Sequence, residues 1–177
     1  MLDALLTIFY FIVVFLIFLI LLGVWLLWSS LVGAPWVPTS RVRIRKMLEL
    51  AQVTENDIVM DLGSGDGRIL IQAAKEFRAR SIGIEVDPMR VFWSRIAIRR
   101  RGLSDKVEVI RGNFFTQNFA DATVVTVYQT TDVNAQLKEK LSMELNPGTR
   151  VVSNAFAFEG WTPAKVMTKP KLYLYVM

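Results

Sequence analysis

Asp61-Leu62-Gly63-Ser64-Gly65-Asp66-Gly67 is the stretch that decides the fold of this 177-residue chain. It follows the apolar run 58–60 and precedes residues 69–74, whose apolar side chains recur at helical spacing. This order predicts a strand, a tight turn and a helix. Glycines at alternate positions leave the turn without bulky side chains, so a ligand can approach the backbone and the helix N-terminus. We therefore expect a ligand site at this turn.

Two carboxylates indicate which ligand the turn favours. Asp61 and Asp66 flank the place that a phosphate would occupy, and they favour a cationic or hydroxyl-rich ligand instead. The dinucleotide fingerprint is also shifted, because its third glycine is Gly67 and Arg68 stands where that glycine should be. The other candidate ligand is S-adenosylmethionine, which carries an ammonium group and a positive sulfonium.

Two further segments suit that ligand. Glu85 ends the next predicted strand, where its carboxylate is placed to bind both hydroxyls of a ribose. The third predicted strand leads to Gly112-Asn113-Phe114-Phe115, which offers an amide for the edge of an adenine and an aromatic ring to cover it. This combination is more specific than the glycines alone.

The rest of the chain alternates between strands and helices. Strands are predicted at 58–62, 81–86, 107–110, 123–128, 150–156, 165–168 and 171–176, and helices at 41–50, 68–77, 88–101 and 134–145. The last two strands are joined at Lys169-Pro170 and predict an antiparallel hairpin. Continuous apolar strands alternating with helices predict an α/β fold, a mainly parallel seven-stranded sheet with helices on both faces.

Residues 4–28 are almost purely apolar and exceed the roughly 20 residues that cross a bilayer. Trp25, Trp28 and Trp36 suit an aromatic belt at the membrane interface. A cleaved signal peptide is the competing interpretation, but it would need a basic start, whereas this chain begins Met-Leu-Asp. We predict a transmembrane anchor at 1–33, a linker and substrate-side segment at 34–40, and the enzyme domain at 41–177.

Charge predicts the orientation of the anchor. Asp3 is the single charged side chain before Arg41, and four basic residues follow between 41 and 46. The positive-inside rule therefore predicts a single-pass protein of the cell membrane with its domain on the cytoplasmic side. A second basic cluster lies on the predicted helix 88–101, where its five arginines fit a solvated face, a membrane surface or nucleic acid.

The chain contains neither cysteine nor histidine. Disulfides and thiolate metal sites are therefore excluded, and the commonest metal ligand and the usual general base are missing. We expect no metal, and chemistry that depends on a reactive cofactor, carboxylates, hydroxyls or backbone groups.

Several stretches together resemble one group of class I S-adenosylmethionine-dependent methyltransferases. They are Pro35–Thr39, Asp61–Ile69, Gly112–Phe115, Leu145–Val152 and Gly160–Pro163. The group comprises the small archaeal protein-lysine methyltransferases and the mitochondrial enzymes that methylate a lysine of the ATP synthase c subunit. The resemblance covers residues 34–177, with Trp36 standing where the group leads us to expect Tyr or Phe.

This resemblance implies a Rossmann-like fold, S-adenosyl-L-methionine as cofactor, and methyl transfer to a lysine ε-amine of a protein. Because the short linker confines the active site to the membrane surface, we expect that protein to be a membrane protein. The implied cofactor-binding residues are Thr39, Asp61, Gly63, Ser64, Gly65, Asp66, Gly67, Glu85, Asn113 and Phe114. Tyr128, Gln129 and Thr130, at the end of the fourth predicted strand, are the catalytic candidates on the acceptor side.

Other acceptors stay open from the sequence. A lipid or quinone-like small molecule would suit a membrane-anchored enzyme equally well, and a cofactor-binding module without turnover is a further alternative. A nucleic-acid acceptor is disfavoured, because residues 128–131 lack the Asp/Asn-Pro-Pro-aromatic motif typical of enzymes that methylate amide or nucleobase nitrogens.

Overall fold

The computed structural model of the chain describes residues 2–31 and 37–177, with side chains at 3–24 and 37–177. The chain divides into two compact units, Met1–Pro35 and Trp36–Met177. The predicted aromatic belt of Trp25, Trp28 and Trp36, and residues 34–36 of the predicted linker, lie outside the described side chains.

The first unit contains one long helix, α1, which runs from Leu2 to Leu31. Its segment Asp3–Val24 has a mean hydropathy of 3.2, and none of it is buried inside the structure. A rise of about 1.5 Å per residue makes such a segment roughly as long as a bilayer core is thick. By length and composition, α1 therefore meets the requirement for a membrane span, which a signal sequence would also meet.

The second unit is built on one seven-stranded sheet. Its strands are β1 (Ile58–Leu62), β2 (Arg80–Glu85), β3 (Val107–Arg111), β4 (Val124–Val127), β5 (Arg150–Asn154), β6 (Lys165–Thr168) and β7 (Lys171–Val176). Their order across the sheet is β3-β2-β1-β4-β5-β7-β6. The first five strands are parallel, and β7 runs antiparallel to both β5 and β6. The predicted parallel sheet with its C-terminal hairpin is confirmed.

Within residues 37–177, one helix precedes the first strand, and three helices and one short helical turn lie between strands. They are α2 (Arg41–Leu50), α3 (Arg68–Glu76), α4 (Pro88–Arg99), a 3-10 turn (Phe114–Thr116) and α5 (Thr131–Glu144). The 3-10 turn was not predicted. Residue 134 was predicted as the start of α5, which begins earlier because Thr130 takes the extended cap conformation. β5 was predicted to reach residue 156 but ends at Asn154, because Ala155 has a left-handed φ of 68°.

Side chains alternate between the two faces of the sheet along each central strand. Val59, Val124 and Val152 pack on the face that α2 and α3 cover. Met60, Val125 and Val151 pack on the opposite face with Leu137 and Leu141 of α5. Because successive strand residues point to opposite faces, the same short apolar runs supply both cores. The predicted helices on both faces are therefore confirmed.

The connection order places a crevice at one edge of the sheet. From β1 the chain moves outward through β2 and β3, and then returns to pair β4 on the other side of β1. In open α/β sheets, ligands bind at such a switch point, outside the carboxyl ends of the strands. Here those ends belong to β1 and β4.

The opposite, amino edge is held by Asp57, a buried carboxylate just before β1. Asp57 accepts hydrogen bonds from the Thr54 amide at 2.7 Å and the Thr123 hydroxyl at 2.7 Å, and it pairs with Arg150. Arg150 also donates to the Ala51 carbonyl at 2.7 Å. This cluster therefore joins the starts of β1, β4 and β5 to the end of α2.

We predict that Asp57→Ala lowers the free energy of unfolding by about 3 kcal/mol at pH 7, because Arg150 loses its buried partner. Burial raises the pKa of Asp57, but hydrogen bonds from Thr123 and Thr54 and the charge of Arg150 outweigh it and leave the pKa lowered. The stabilisation is therefore present above the ordinary carboxyl pKa and is lost as the pH falls below it. Urea unfolding of the full chain in detergent micelles, followed by near-ultraviolet circular dichroism, measures it.

The matched control is Asp121→Ala, since Asp121 is exposed. If both variants unfold at the same urea concentration at pH 7, the Asp57 cluster does not hold the amino edge.

Candidate active site

The glycine turn leaves β1 in a conformation that only glycine adopts without strain. Gly63, Gly65 and Gly67 have φ values of 88°, 55° and 75°. The Gly63 and Ser64 amides both donate to the Ile84 carbonyl of β2, at 2.9 and 3.0 Å. The turn is thus fastened to the neighbouring strand before α3 begins.

Asp61 lies in β1 directly before this turn, with 3% of its surface exposed. One carboxylate oxygen accepts a hydrogen bond of 2.7 Å from the Thr126 hydroxyl of β4. Burial raises the pKa of Asp61 to about 7, the Thr126 hydrogen bond opposes the shift, and the charges of Glu85 and Asp66 add to it. A buried carboxylate with so few partners favours a ligand that brings positive charge.

Glu85 ends β2 beside the turn and is 4% exposed. Its Oε2 accepts from the Gly65 amide at 2.8 Å, and its Oε1 accepts from the Asp87 amide at 2.9 Å. Each carboxylate oxygen has a second lone pair, so Glu85 can also accept hydrogen bonds from a ligand. Asp87 in turn caps α4, accepting from the Met89 amide at 2.8 Å.

Asp66 is paired within the turn. Arg68 binds its two oxygens at 2.8 and 2.6 Å and also donates to the Thr39 carbonyl at 3.0 Å. This pairing neutralises Asp66, and Arg90 lies 3.9 Å from a Glu85 oxygen, so the charges of both carboxylates are partly balanced within the domain. Arg68 also fastens the buried Thr39, and with it the segment before α2, to the glycine turn.

The segment after β3 reaches the same edge. Glu85 and Arg111 are partners in the sheet register, and the Gly112 amide donates to the Glu85 carbonyl at 3.0 Å. Asn113 is exposed and accepts from the Phe115 amide at 3.0 Å, which caps the 3-10 turn. Phe114 is half-buried beside it. Both predicted adenine-side residues therefore lie next to Glu85 along the sheet edge.

The three acceptor-side candidates follow β4 and take different positions. The half-buried ring of Tyr128 stacks on Phe156, with centroids 6.4 Å apart. Gln129 is buried, and its Nε2 donates to the Leu62 carbonyl at 3.0 Å. Thr130 occupies the cap position of α5. Gln129 therefore supports the glycine turn, whereas the Tyr128 ring is accessible.

Gln129 also packs closely against Gly63, whose positive φ favours a glycine there. A Cβ built on Gly63 would lie 2.4 Å from the Gln129 Nε2. Ser64 is turned the other way, since a Cβ on Gly83 of β2 would lie 2.6 Å from its Oγ. The structure thus brings Asp61, Glu85 and the glycine backbone together at the cleft and directs the Ser64 hydroxyl toward β2.

Asn154, at the end of β5, is a buried polar residue that was not among the predicted site residues. Asn134 of α5 donates to the Phe156 carbonyl at 3.3 Å, and Arg43 of α2 donates to the Asn154 Oδ1 at 3.3 Å. Within the described residues, three buried side-chain atoms lack a hydrogen-bond partner: Ser64 Oγ, Asn134 Oδ1 and Asn154 Nδ2. All three lie near the carboxyl edge: the Ser64 hydroxyl points toward β2, whereas Asn134 is near the start of α5 and Asn154 is at the end of β5. Asn154 could have been identified from the sequence as a polar residue that ends a mainly apolar strand.

The charged groups and the shape of the turn determine which ligand fits the site. Buried carboxylates on β1 and β2 suit an ammonium group and neighbouring hydroxyls, and a turn without side chains allows close approach. These features fit S-adenosylmethionine better than a pyrophosphate. Among the residues whose side chains are described, no group of three or more His, Cys, Asp or Glu is arranged to hold a metal ion.

Comparison with known proteins gives consistent matches. The family model described as the ANTKMT methyltransferase domain matches residues 61–165. A protein-lysine N-methyltransferase of Saccharolobus islandicus is 43% identical over 150 residues, 81% of this chain and 93% of that protein. A lysine N-methyltransferase of Xenopus laevis, named for the ATP synthase c subunit, is 33% identical over 130 residues, 73% of this chain and 56% of that protein.

A solved structure carries a different description. It is a crystal structure described as an RNA methyltransferase from Salinibacter ruber, in complex with S-adenosyl-L-homocysteine. It is 42% identical, has a TM-score of 0.77, and covers 79% of this chain and 93% of its own. The match extends the similarity to three dimensions.

We predict that the raised pKa of Asp61 makes the ligand-free protein less stable as the pH rises. Because the folded state holds this proton more tightly than the unfolded state, stability falls between about pH 4 and pH 7. Asp61→Asn removes that slope, so the variant should gain up to about 3 kcal/mol relative to wild type between pH 5 and pH 8.

Urea unfolding of both proteins at the two pH values measures the gain, and Asp105→Asn is the exposed control. Parallel pH profiles for wild type and Asp61→Asn would show that Asp61 titrates in the ordinary carboxyl range.

Proposed function

The chain belongs to the ANTKMT methyltransferase domain family, and on that premise we propose that it methylates a protein lysine with S-adenosyl-L-methionine. The membership confirms the family that the sequence motifs indicated. The observation that carries the proposal is the similarity to the protein-lysine N-methyltransferase of Saccharolobus islandicus, because the alignment spans nearly the whole of that enzyme. The carboxylate pair beside the glycine turn supports the choice of cofactor.

Different residues bind the different parts of that cofactor. Asp61 offers a carboxylate to the ammonium group of its methionine end, and Glu85 accepts from its ribose hydroxyls. Asn113 and Phe114 receive the adenine at the end of β3. The glycine turn lets the cofactor lie against backbone, with Thr39 closing the site from the segment before α2.

When bound, S-adenosylmethionine supplies a methyl carbon on a positive sulfonium, which a neutral amine takes by in-line displacement. The protein must therefore align the lysine amine and exclude water, rather than act as a strong base. We propose that Tyr128 and Thr130 line the acceptor path. Gln129 is a positioning residue that holds the turn through Leu62. The departing amine proton goes to solvent.

We further propose that α1 is an uncleaved membrane anchor and that the domain faces the cytoplasm. Support comes from the apolar segment Asp3–Val24 and from the basic residues 41–46 that follow it. An anchored enzyme acts on acceptors in or beside the bilayer, so the proposed acceptor is a membrane protein with an accessible lysine.

RNA is the second candidate acceptor, favoured by the description of the Salinibacter ruber structure. Against it, the β4 end carries Tyr128-Gln129-Thr130-Thr131 instead of the Asp/Asn-Pro-Pro-aromatic motif typical of enzymes that methylate nucleobase nitrogens. A primary amine needs no planar clamp of that kind, which is why we place the lysine first.

The test is methyl transfer from radiolabelled S-adenosylmethionine by the full chain, mixed with membrane extract and with total RNA. We expect label in protein that yields methyl-lysine on hydrolysis. Label in RNA would support the second candidate, and label in the organic phase would support a lipid acceptor. No label in any fraction despite cofactor binding would contradict turnover.

Glu85→Ala should weaken S-adenosylhomocysteine binding roughly 100-fold, because two charge-assisted hydrogen bonds to ribose are lost. Titration calorimetry measures this loss. Glu108→Ala is the matched control, since Glu108 is exposed on β3. Equal affinities in the two variants would contradict the placement of the ribose at Glu85.

A further inference from the structure

The solvent side of α4 carries an apolar stripe that nothing in the described chain covers. Met89, Phe92, Trp93 and Ile96 recur at the spacing of one helix face, and Arg99 and Arg100 follow them at its C-terminal end. We call these six residues the α4 outer face. The first three are 45%, 52% and 57% exposed, and the rings of Phe92 and Trp93 pack edge to face with centroids 5.3 Å apart.

The other side of α4 already supplies the core. Val91 and Ile98 are buried there with Val107 and Val109 of β3, and Ser94 is fully buried between them. A surface helix normally presents polar residues opposite its buried side. Because α4 is apolar on both sides, its outer face has the character of an interaction surface.

The charge at the C-terminal end of this face is positive, whereas at the start of α4 Arg90 pairs with Glu85 and Asp87, at 3.9 and 3.6 Å. α4 contains no acidic residue, and within the described residues Arg99 and Arg100 form no ion pair. Arg95 turns inward to the Val109 carbonyl at 2.7 Å. Glu108 cannot neutralise the face, because it alternates with the α4-facing Val107 and Val109 and so points to the other side of the sheet.

We propose that the α4 outer face docks on an anionic lipid surface. Phe and Trp side chains insert at the headgroup level, and neighbouring arginines are attracted to anionic lipids. The inference rests on the proposed membrane anchor. Residues 32–40 span at most about 30 Å when fully extended, so an inserted α1 would keep a bilayer at high effective concentration.

Met, Phe, Trp and Arg are also enriched in protein interfaces, and the proposed anchor, which places a bilayer within reach, is what favours lipid here. Docking has a consequence for the site. α4 begins directly after Glu85 and Asp87, so a docked α4 would hold this end of the cofactor cleft beside the headgroups.

The cysteine-free sequence permits a direct test with single labels. Met89→Cys and Met143→Cys are made in the full chain, labelled with an environment-sensitive fluorophore and reconstituted in phosphatidylcholine nanodiscs with or without phosphatidylserine. Met143 is the matched control, because it is 77% exposed on α5. We expect a blue shift, and quenching by lipid-borne quenchers, for the label at position 89 in the anionic nanodiscs alone.

The second part of the test removes the two arginine charges of the α4 outer face. In the Met89→Cys background, Arg99→Gln with Arg100→Gln should reduce docking roughly tenfold or more. Lys75→Gln with Lys165→Gln removes the same charge from exposed sites elsewhere and should leave docking unchanged. Equal effects of the two pairs would overturn the assignment to α4.

Each failure has its own signature. If the chain does not co-purify with nanodiscs, the proposed anchor is wrong, whatever α4 does. If it co-purifies but both labels stay in water in both lipid mixtures, the docking proposal is wrong and the anchor stands. If the label at position 89 stays in water and is protected only when a methylated acceptor protein is added, α4 is a protein-docking surface instead.

Discussion

The main constraint on the second unit is that the Asp61 carboxylate is buried at the carboxyl edge of β1. The Thr126 hydroxyl donates a hydrogen bond to it, and the nearby Glu85 charge opposes its ionisation. Such a group lowers the stability of the ligand-free fold at neutral pH, so the surrounding structure must hold it in place. Glu85 accepts hydrogen bonds from the Gly65 and Asp87 amides. The glycine turn that follows Asp61 is bound to the Ile84 carbonyl. The edge is therefore organised before any ligand arrives, which reduces the entropic cost of binding one.

Stability and function are separated along the strands. At the amino edge, Asp57 has hydrogen-bond donors and the Arg150 guanidinium, and both cores lie between the edges. At the carboxyl edge lie the positive-φ glycines, the left-handed Ala155 and three buried polar atoms without a partner. Strained backbone and unsatisfied groups each cost free energy and persist only when the surrounding structure over-determines them. The apolar strands supply that support, and the domain therefore stays folded despite the strained backbone and unsatisfied groups at its carboxyl edge.

Much of this arrangement could be predicted from the sequence, because it depends on local order. The strands, the hairpin and the edge at which Asp61, Glu85 and Asn113 meet all follow from apolar runs and from parallel topology. The partners of individual side chains could not be predicted, because they join segments distant in sequence. In the sequence Arg68 is a misplaced residue of a dinucleotide motif, yet in the fold it neutralises Asp66 and fastens Thr39. Gln129 has the position of an acceptor-side residue, yet it supports the turn. Asn134 and Asn154 carry no motif at all.

The absence of histidine and cysteine from the sequence is consistent with the chemistry that the site supports. Displacement at a sulfonium needs a neutral amine, exclusion of water and alignment, and it needs no strong base in the protein. Aromatic rings, a hydroxyl and backbone carbonyls can provide alignment, and the ends of β4 and β5 present Tyr128, Phe156 and Thr130. Alignment is also the property most affected by where the enzyme is held relative to its acceptor. A contact of α4 with lipid would fix the direction from which an acceptor approaches the site. Because the proposed anchor already holds the domain near the bilayer, the outer face of α4 need not bind lipid tightly to orient the site.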